Sequence, residues 1–250
     1  MSIFLRHDAC PNCKSSDALA IFDDGHKWCF SCSHYEAGEQ SINDIRKKYD
    51  GRNPQAYGTI LPQDFNFNIS QQGISWLRKY GILQKEIINH RFGWSNEGII
   101  LKNKNIRIAP ILVFPIYDEV GHLLMWQGRN FGKEGPKYIT RGAKDILHVL
   151  GMHHESNTII LTEDLLSAIK VSRVAPAMPL WGSFMSLGLA RRLSTKFKKA
   201  ILWLDKDKAQ EATKQAANAS HIFEQGCSSI RTERDPKEYN NEEIMIYATD

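Results

Sequence analysis

Apolar and polar positions change rhythm several times along the chain, and each change marks a segment. Residues 1–38 hold only short strand-like pieces; two of them, 18–23 and 26–30, flank Asp24-Gly25, a dipeptide suited to a hairpin turn. Residues 39–67 are polar and interrupted by Gly51, Pro54, Gly58 and Pro62, which predicts a linker with a transient helix over 41–49. From 68 to 151, the spacing of Ile74, Leu77 and Ile82, then Ile87 and Ile88, predicts helix. Strand-like runs follow at 98–101, 109–117 and 122–130, the last two joined by turn residues Asp118-Glu119-Val120-Gly121. From 152 to 250, apolar runs at 158–162, 177–181 and 200–204 alternate with helical patterns at 165–172, 187–197 and 208–223. Strands that are apolar throughout, separated by helices, predict βαβ units around a buried parallel sheet.

The 250 residues suffice for one large domain or two to three small ones. No apolar run reaches the roughly 20 residues of a membrane helix. Residues 1–11 carry Arg6, His7 and Asp8 without a hydrophobic centre, unlike a signal peptide. A reducing, cytoplasmic setting is therefore expected, with no membrane partner and with the cysteines as thiols. Net charge is only +4, but it is unevenly spread. Residues 76–148 hold twelve Lys/Arg against six Asp/Glu, and 191–199 (RRLSTKFKK) hold five bases and no acid. Such patches attract phosphates, although a solvated face explains either one alone.

Four of the five cysteines fall as Cys10-Pro-Asn-Cys13 and Cys29-Phe-Ser-Cys32. Two such knuckles, about 15 residues apart, have the spacing of a tetrahedral zinc ribbon, in which each knuckle turns two thiolates toward one ion. Two disulfides, or a redox pair, are the alternatives; the compartment disfavours the first and the matched second knuckle the second. A segment this short would fold on its metal. His34 is expected on the surface and Cys227 as an inert, packed thiol. Lys14, His26, Lys27, Phe22, Trp28 and Phe30 are candidates for nucleic-acid contact, while most of the rings are explained more simply as the ribbon's small core.

Three acids sit where strands should end: Glu163 after Ile159-Ile160-Leu161-Thr162, and Asp205 and Asp207 after Ile201-Leu202-Trp203-Leu204. Ligands gather beyond the carboxyl ends of strands in open α/β sheets. In extended chain Asp205 and Asp207 would project to one side, and Glu163 from a neighbouring strand would complete an oxygen-lined site for Mg2+ or Mn2+. Alone, a D-x-D is weak evidence, because acids at strand ends often cap the next helix.

The stretches CPNC…DDGHKWCFSC, FPIYDEVGHLLMWQGR, PKYITRG, IILTEDLLSAIKV, LWLDKDKA and RDPKEY together resemble the bacterial and bacteriophage DNA primases, over nearly the whole chain. The resemblance implies a multidomain α/β chain: a β zinc ribbon (1–38), a linker (39–67), a mixed α+β basic subdomain (68–151) and a TOPRIM domain with a Rossmann-like parallel sheet (152–250). It implies Cys10, Cys13, Cys29 and Cys32 as structural zinc ligands, Glu163, Asp205 and Asp207 as catalytic Mg2+ or Mn2+ ligands, and Asp235, bordering the same site, as a further candidate ligand. Arg129, Lys133 and Lys137 would handle ribonucleoside triphosphates and the single-stranded DNA template. If the chain is phage-encoded, it would work in a bacterial cytoplasm. No G-x4-G-K-[ST] loop occurs, so a replicative helicase would be a separate partner or a missing part. Two departures stand out: Asp164 replaces the family's usual glycine after the glutamate, and Gln210 replaces a glycine after D-x-D-x-A. Asp164 either joins a metal shell or caps the helix that follows, and the cap is the preferred reading. The rival functions are a TOPRIM nuclease or topoisomerase-like enzyme and a non-catalytic zinc-ribbon factor that binds single-stranded DNA.

Overall fold

Strand-helix alternation in the last hundred residues builds a four-stranded parallel sheet. The computed structural model describes residues 4–22, 25, 27–32, 34–36, 59–101, 105–143 and 146–248. They fall into two units, one within 1–54 and the other within 55–250. The expected helix over 41–49 and most of the expected linker lie outside the described residues.

The first unit is a four-stranded antiparallel ribbon of β1 (Phe4–Asp8), β2 (Leu19–Phe22), β3 (Lys27–Cys29) and β4 (Tyr35–Glu36), paired in sequence order. The hairpin expected between 18–23 and 26–30 forms as the β2–β3 pair, with Gly25 at φ +80°. β1 and β4 were not foreseen, because their sequences lack apolar alternation. The ribbon's core is Cys10, Leu19 and Cys29, supported by Ala18 and Cys32. The expectation that the rings form this core is corrected for Phe30, which is 67% exposed. Phe4 packs edge-on against Phe22 and His7, and His7 lies 6.1 Å from the Phe30 ring.

The second unit begins with residues 59–67, which pack against the body instead of serving as linker. Asp64 accepts hydrogen bonds from the Ser95 hydroxyl and from the Asn96 and Glu97 amides (2.7 and 2.9 Å), and the Trp126 indole donates to the Ile60 carbonyl (2.9 Å). The packing is close: a Cβ on Gly93 would lie 2.3 Å from the Phe65 ring. Helices α1 (Gln71–Lys79) and α2 (Gln84–Asn89) follow, α1 capped by the Ser70 hydroxyl, which accepts from the Gly73 amide (3.2 Å).

An antiparallel sheet comes next, in the order β10-β9-β8-β5: β5 (Gly93–Ser95), β8 (Ile111–Tyr117), β9 (Leu123–Asn130) and β10 (Tyr138–Gly142). A two-stranded sheet, β6 (Ile99–Leu101) with β7 (Ile106–Ile108), accompanies it. Side chains of β8 alternate between two cores. Leu112, Phe114 and Ile116 face a cluster with Leu77, Ile87 and Met125, whereas Ile111 and Val113 meet Trp126 and Ile108.

The parallel sheet has the order β12-β11-β13-β14, from β11 (Thr158–Thr162), β12 (Ala177–Pro179), β13 (Lys199–Trp203) and β14 (Cys227–Ser229). Helices α3 (Leu165–Val171), α4 (Leu187–Ser194), α5 (Ala209–Ala219) and α6 (Asn241–Ala248) complete it. Ile159, Leu161 and Leu202 pack against α4 and α5, while Ile160, Ile201 and Trp203 meet Ala168 and Val171 of α3 and Ile244 of α6. Helices on both faces explain why these strands are apolar throughout.

α3 also joins the two four-stranded sheets of this unit: Leu165, Leu166 and Ile169 share a cluster with Leu77, Phe92 and Phe114. Just beyond it, Arg173 forks onto Glu86 of α2, with Nε to Oε1 at 2.8 Å and Nη2 to Oε2 at 2.7 Å. Burial disfavours the Glu86 charge, but the Arg173 hydrogen bonds outweigh it and hold the carboxyl below its usual range. Among the described residues, no helix is long and apolar enough to cross a membrane.

Candidate active site

The four ribbon thiols converge. Cys10 and Cys32 Sγ are 3.7 Å apart and Cys13 and Cys29 Sγ 3.6 Å, with all four sulfurs within 4.8 Å of one another. Tetrahedral zinc at about 2.3 Å from each thiolate requires sulfur separations of about 3.8 Å, so the residues fit that ion. No disulfide is present among the described cysteines. The knuckle turn is fixed by Lys14 N donating to Cys10 O (2.9 Å) and Cys10 N donating to Ser15 O (2.9 Å). His34 points its ring at Glu36 (3.2 Å), away from the sulfurs. Cys227 is partly buried, and burial pushes its thiol up to about 11, as an inert thiol requires.

In the second unit, the strand order 12-11-13-14 places the sheet's switch point between β11 and β13, and the acids gather there. Glu163, Asp164, Asp205, Asp207 and Asp235 line one cavity of about 550 Å³. The opposite wall comes from the antiparallel sheet and α1: Tyr80, Gln127, Lys137, Tyr138 and Thr140. Asp205 and Asp207 do not project from extended chain as expected. β13 ends at Trp203, and residues 206–208 turn into a 3-10 helix because the chain must enter α5 at once. Asp205 is consequently half-buried and Asp207 exposed, although both face the cavity.

Glu163 Oε2 and Asp205 Oδ1 are buried without a hydrogen-bond partner among the described residues. Burial, with the charges of Asp164 and Asp207, pushes the Glu163 pKa up. Burial and the Asp164 charge push Asp205 up to about 7. Asp164 caps α3, accepting from the Ser167 amide at 2.9 Å, as the preferred reading required. The Tyr138 phenol, shielded by burial and facing Asp164, is held above its ordinary range and stays a hydrogen-bond donor.

The basic residues divide. Lys137 lines the cavity, its ammonium 5.8 Å from the Tyr138 ring. Arg129 does not line it; its guanidinium sits among Trp76 (5.6 Å), Phe131 (5.9 Å) and Tyr138 (5.2 Å), with Nε and Nη1 buried and unpartnered. Lys133 is exposed on the 131–137 connection and also lies outside the lining.

Sequence reading missed Lys237, whose ammonium lies 2.7 Å from Asp164 Oδ2, 3.0 Å from Asp205 Oδ2 and 3.2 Å from Asp235 Oδ2. Burial opposes its charge, but Asp164 and Asp205 outweigh that and push its pKa up. It also missed Trp181, buried beside the cavity with a left-handed backbone at φ +57°. That strain turns the chain after β12 so that the Gly182 amide donates to the Glu163 carbonyl (3.1 Å). A Trp-Gly pair closing an apolar run was its only signal in the sequence.

No protein-family model matches the chain. A DNA helicase/primase of Enterobacteria phage T3 is 32% identical over 106 residues, 36% of this chain. The match spans 19% of that relative, about a fifth of its length. Among solved structures, the zinc-binding and RNA polymerase domains of the Aquifex aeolicus primase are similar with a TM-score of 0.56 at 16% identity, over 99% of this chain and 80% of that one. The RNA polymerase domain of the Mycobacterium tuberculosis primase gives 0.54 at 13% identity, over 72% of this chain and 77% of that one. At these identities the likeness is one of fold, zinc ribbon and TOPRIM-like core together.

Proposed function

We propose that this chain, which has the fold of the primase zinc-binding and RNA polymerase domains, is a DNA primase that joins ribonucleotides into short RNA primers on single-stranded DNA. The observation that carries the reading is the pair of buried, unpartnered oxygens, Glu163 Oε2 and Asp205 Oδ1, at the sheet's switch point. Buried carboxylate oxygens without donors are costly, and a cation between them relieves the cost. An all-oxygen donor set of Glu163, Asp205 and Asp207 suits Mg2+ or Mn2+. When bound, such an ion would polarise the triphosphate and offset the charge that develops during nucleotidyl transfer.

The protein's own groups supply positioning. Lys137 offers an exposed ammonium to the phosphates, and Gln127, Tyr138 and Thr140 offer hydrogen bonds on the wall facing the acids. Arg129, its guanidinium packed among the rings of Trp76, Phe131 and Tyr138, would stiffen the wall that meets template and triphosphate, and Lys133 would take the template backbone. The ribbon, with Phe30 exposed, would contact the template bases.

The test incubates the full chain with ribonucleoside triphosphates, Mg2+ or Mn2+ and single-stranded DNA. New short RNA that disappears in Asp205→Asn is expected. DNA cleavage would favour the nuclease reading, and neither product would leave a single-strand-binding factor.

A further inference from the structure

The acid cluster already contains a cation, and it belongs to the chain. Lys237 sits on the short turn Pro236–Glu238, directly before the chain enters α6. That turn is closed by the Asp235 amide donating to Glu238 Oε2 (3.1 Å), and Pro236 is buried beneath it. The Lys237 side chain is only 9% exposed, and its ammonium meets one oxygen from each of three acids. An ammonium has three donors, so all three are engaged.

The remaining oxygens of two of those acids are also engaged. Asp164 Oδ1 accepts from the Ser167 amide (2.9 Å), and Asp235 Oδ1 accepts from the Lys206 amide (3.2 Å). Asp205 alone keeps an oxygen, Oδ1, that is buried and unpartnered, and Glu163 keeps Oε2. The cluster is thus divided into two halves that share Asp205. One half, Asp164–Asp205–Asp235, is closed on Lys237; the other, Glu163–Asp205 with Asp207 beside it, is open.

We propose that Lys237 is a resident cation standing where a second divalent ion would otherwise sit, so that the nucleotide-free protein takes one divalent ion at this site. The inference rests on the reading that these acids hold divalent metal. In two-metal sites a bridging carboxylate joins ions about 3.5–4 Å apart. Here Asp205 bridges instead between a metal position and an ammonium. Lys237 is therefore a positioning residue: it fixes the Asp205 rotamer and offsets the charge of Asp164 and Asp235. It also withdraws Asp235 from the metal ligands with which the sequence had grouped it.

The test counts ions on the full, zinc-loaded chain without nucleotide, by Mn2+ titration with electron paramagnetic resonance detection of free Mn2+. Wild type should bind one Mn2+ at this site, and Glu163→Gln should lose it. Lys237→Asn should bind two, and its melting temperature should fall without Mn2+ and recover with it. Lys237→Arg, which keeps the charge, should still bind one and guards against a misfolded asparagine variant. Two ions on wild type, or one ion of unchanged affinity on a folded Lys237→Asn, would overturn the proposal. The primase reading fails separately, by absence of RNA product from wild type.

Discussion

Removing the charge of Asp205 should stabilise the protein when no divalent ion is present. Its carboxyl is 19% exposed and held at about 7 against an ordinary 3.8, by burial and the Asp164 charge working against Lys237. Between those values the folded state binds more protons than the unfolded one, so linkage makes stability fall as pH rises. The contribution is fully present below about pH 4 and is lost by the time pH passes 7. Each pKa unit corresponds to about 1.4 kcal/mol, so a rise from 3.8 to about 7 amounts to roughly 4 kcal/mol, which solvent screening reduces to roughly 2–4 kcal/mol. Asp205→Asn mimics the neutral form, keeps the shape and escapes the loss. Urea unfolding of zinc-loaded protein free of Mg2+ and Mn2+, at pH 5 and pH 8, measures this directly. The variant should gain most on wild type at pH 8 and clearly less at pH 5. Mn2+ should raise wild-type stability at pH 8 and leave the variant nearly unchanged, while primer synthesis by the variant is lost. Equal pH slopes for the two proteins would refute the reasoning, because the strain would then not reside on Asp205.

Two further outcomes follow from contacts far from the acids. Glu86→Gln leaves the Arg173 guanidinium, 17% exposed, without its carboxylate, and should cost about 2–3 kcal/mol in urea unfolding of the second unit. Because Glu86 is held below its usual range, wild type should lose that contribution as the pH falls below about 4, and the variant should show no such loss. In the ribbon, Cys29→Ser removes a fully buried sulfur from the four-thiol cluster, and metal analysis should show zinc falling from about one per chain toward none.

Local pattern made the parallel sheet legible. Ile159-Ile160-Leu161 reads as a two-sided strand because one face meets α4 and α5 and the other α3, so no polar alternation survives. The cysteine knuckles were legible for the same reason: two ligands per knuckle are adjacent in sequence, and the chemistry fixes their spacing. What was not legible is set by distance along the chain. Residues 59–67 carry the breaks of a linker, yet Asp64, Phe65 and Ile60 find partners at Ser95, Gly93 and Trp126, which no local rule supplies. β5 and β14 are three residues each and stand only because β8 and β13 offer them an edge. Asp205-Lys206-Asp207 carries a strand's pattern to its left and a helix's to its right, and the helix wins at Lys206.

Asp164 and Lys237 are best understood together. Where resembling proteins carry glycine after the glutamate, this chain has a carboxylate that caps α3 through the Ser167 amide. The cap strengthens the helix start that aims Glu163, but it adds a negative charge to a cavity already lined by four other acids. An uncompensated fifth carboxylate would oppose ionisation of Glu163 and Asp205, the two residues whose buried oxygens have no donor among the described residues. Lys237 lies closer to Asp164, at 2.7 Å, than to either other acid, and so the added charge is met at its source. The cap, the lysine and the open half of the cluster are thus one electrostatic arrangement: α3 gains its N-terminal acid, and under the proposed function Glu163 keeps an environment in which a divalent ion would compete with a proton.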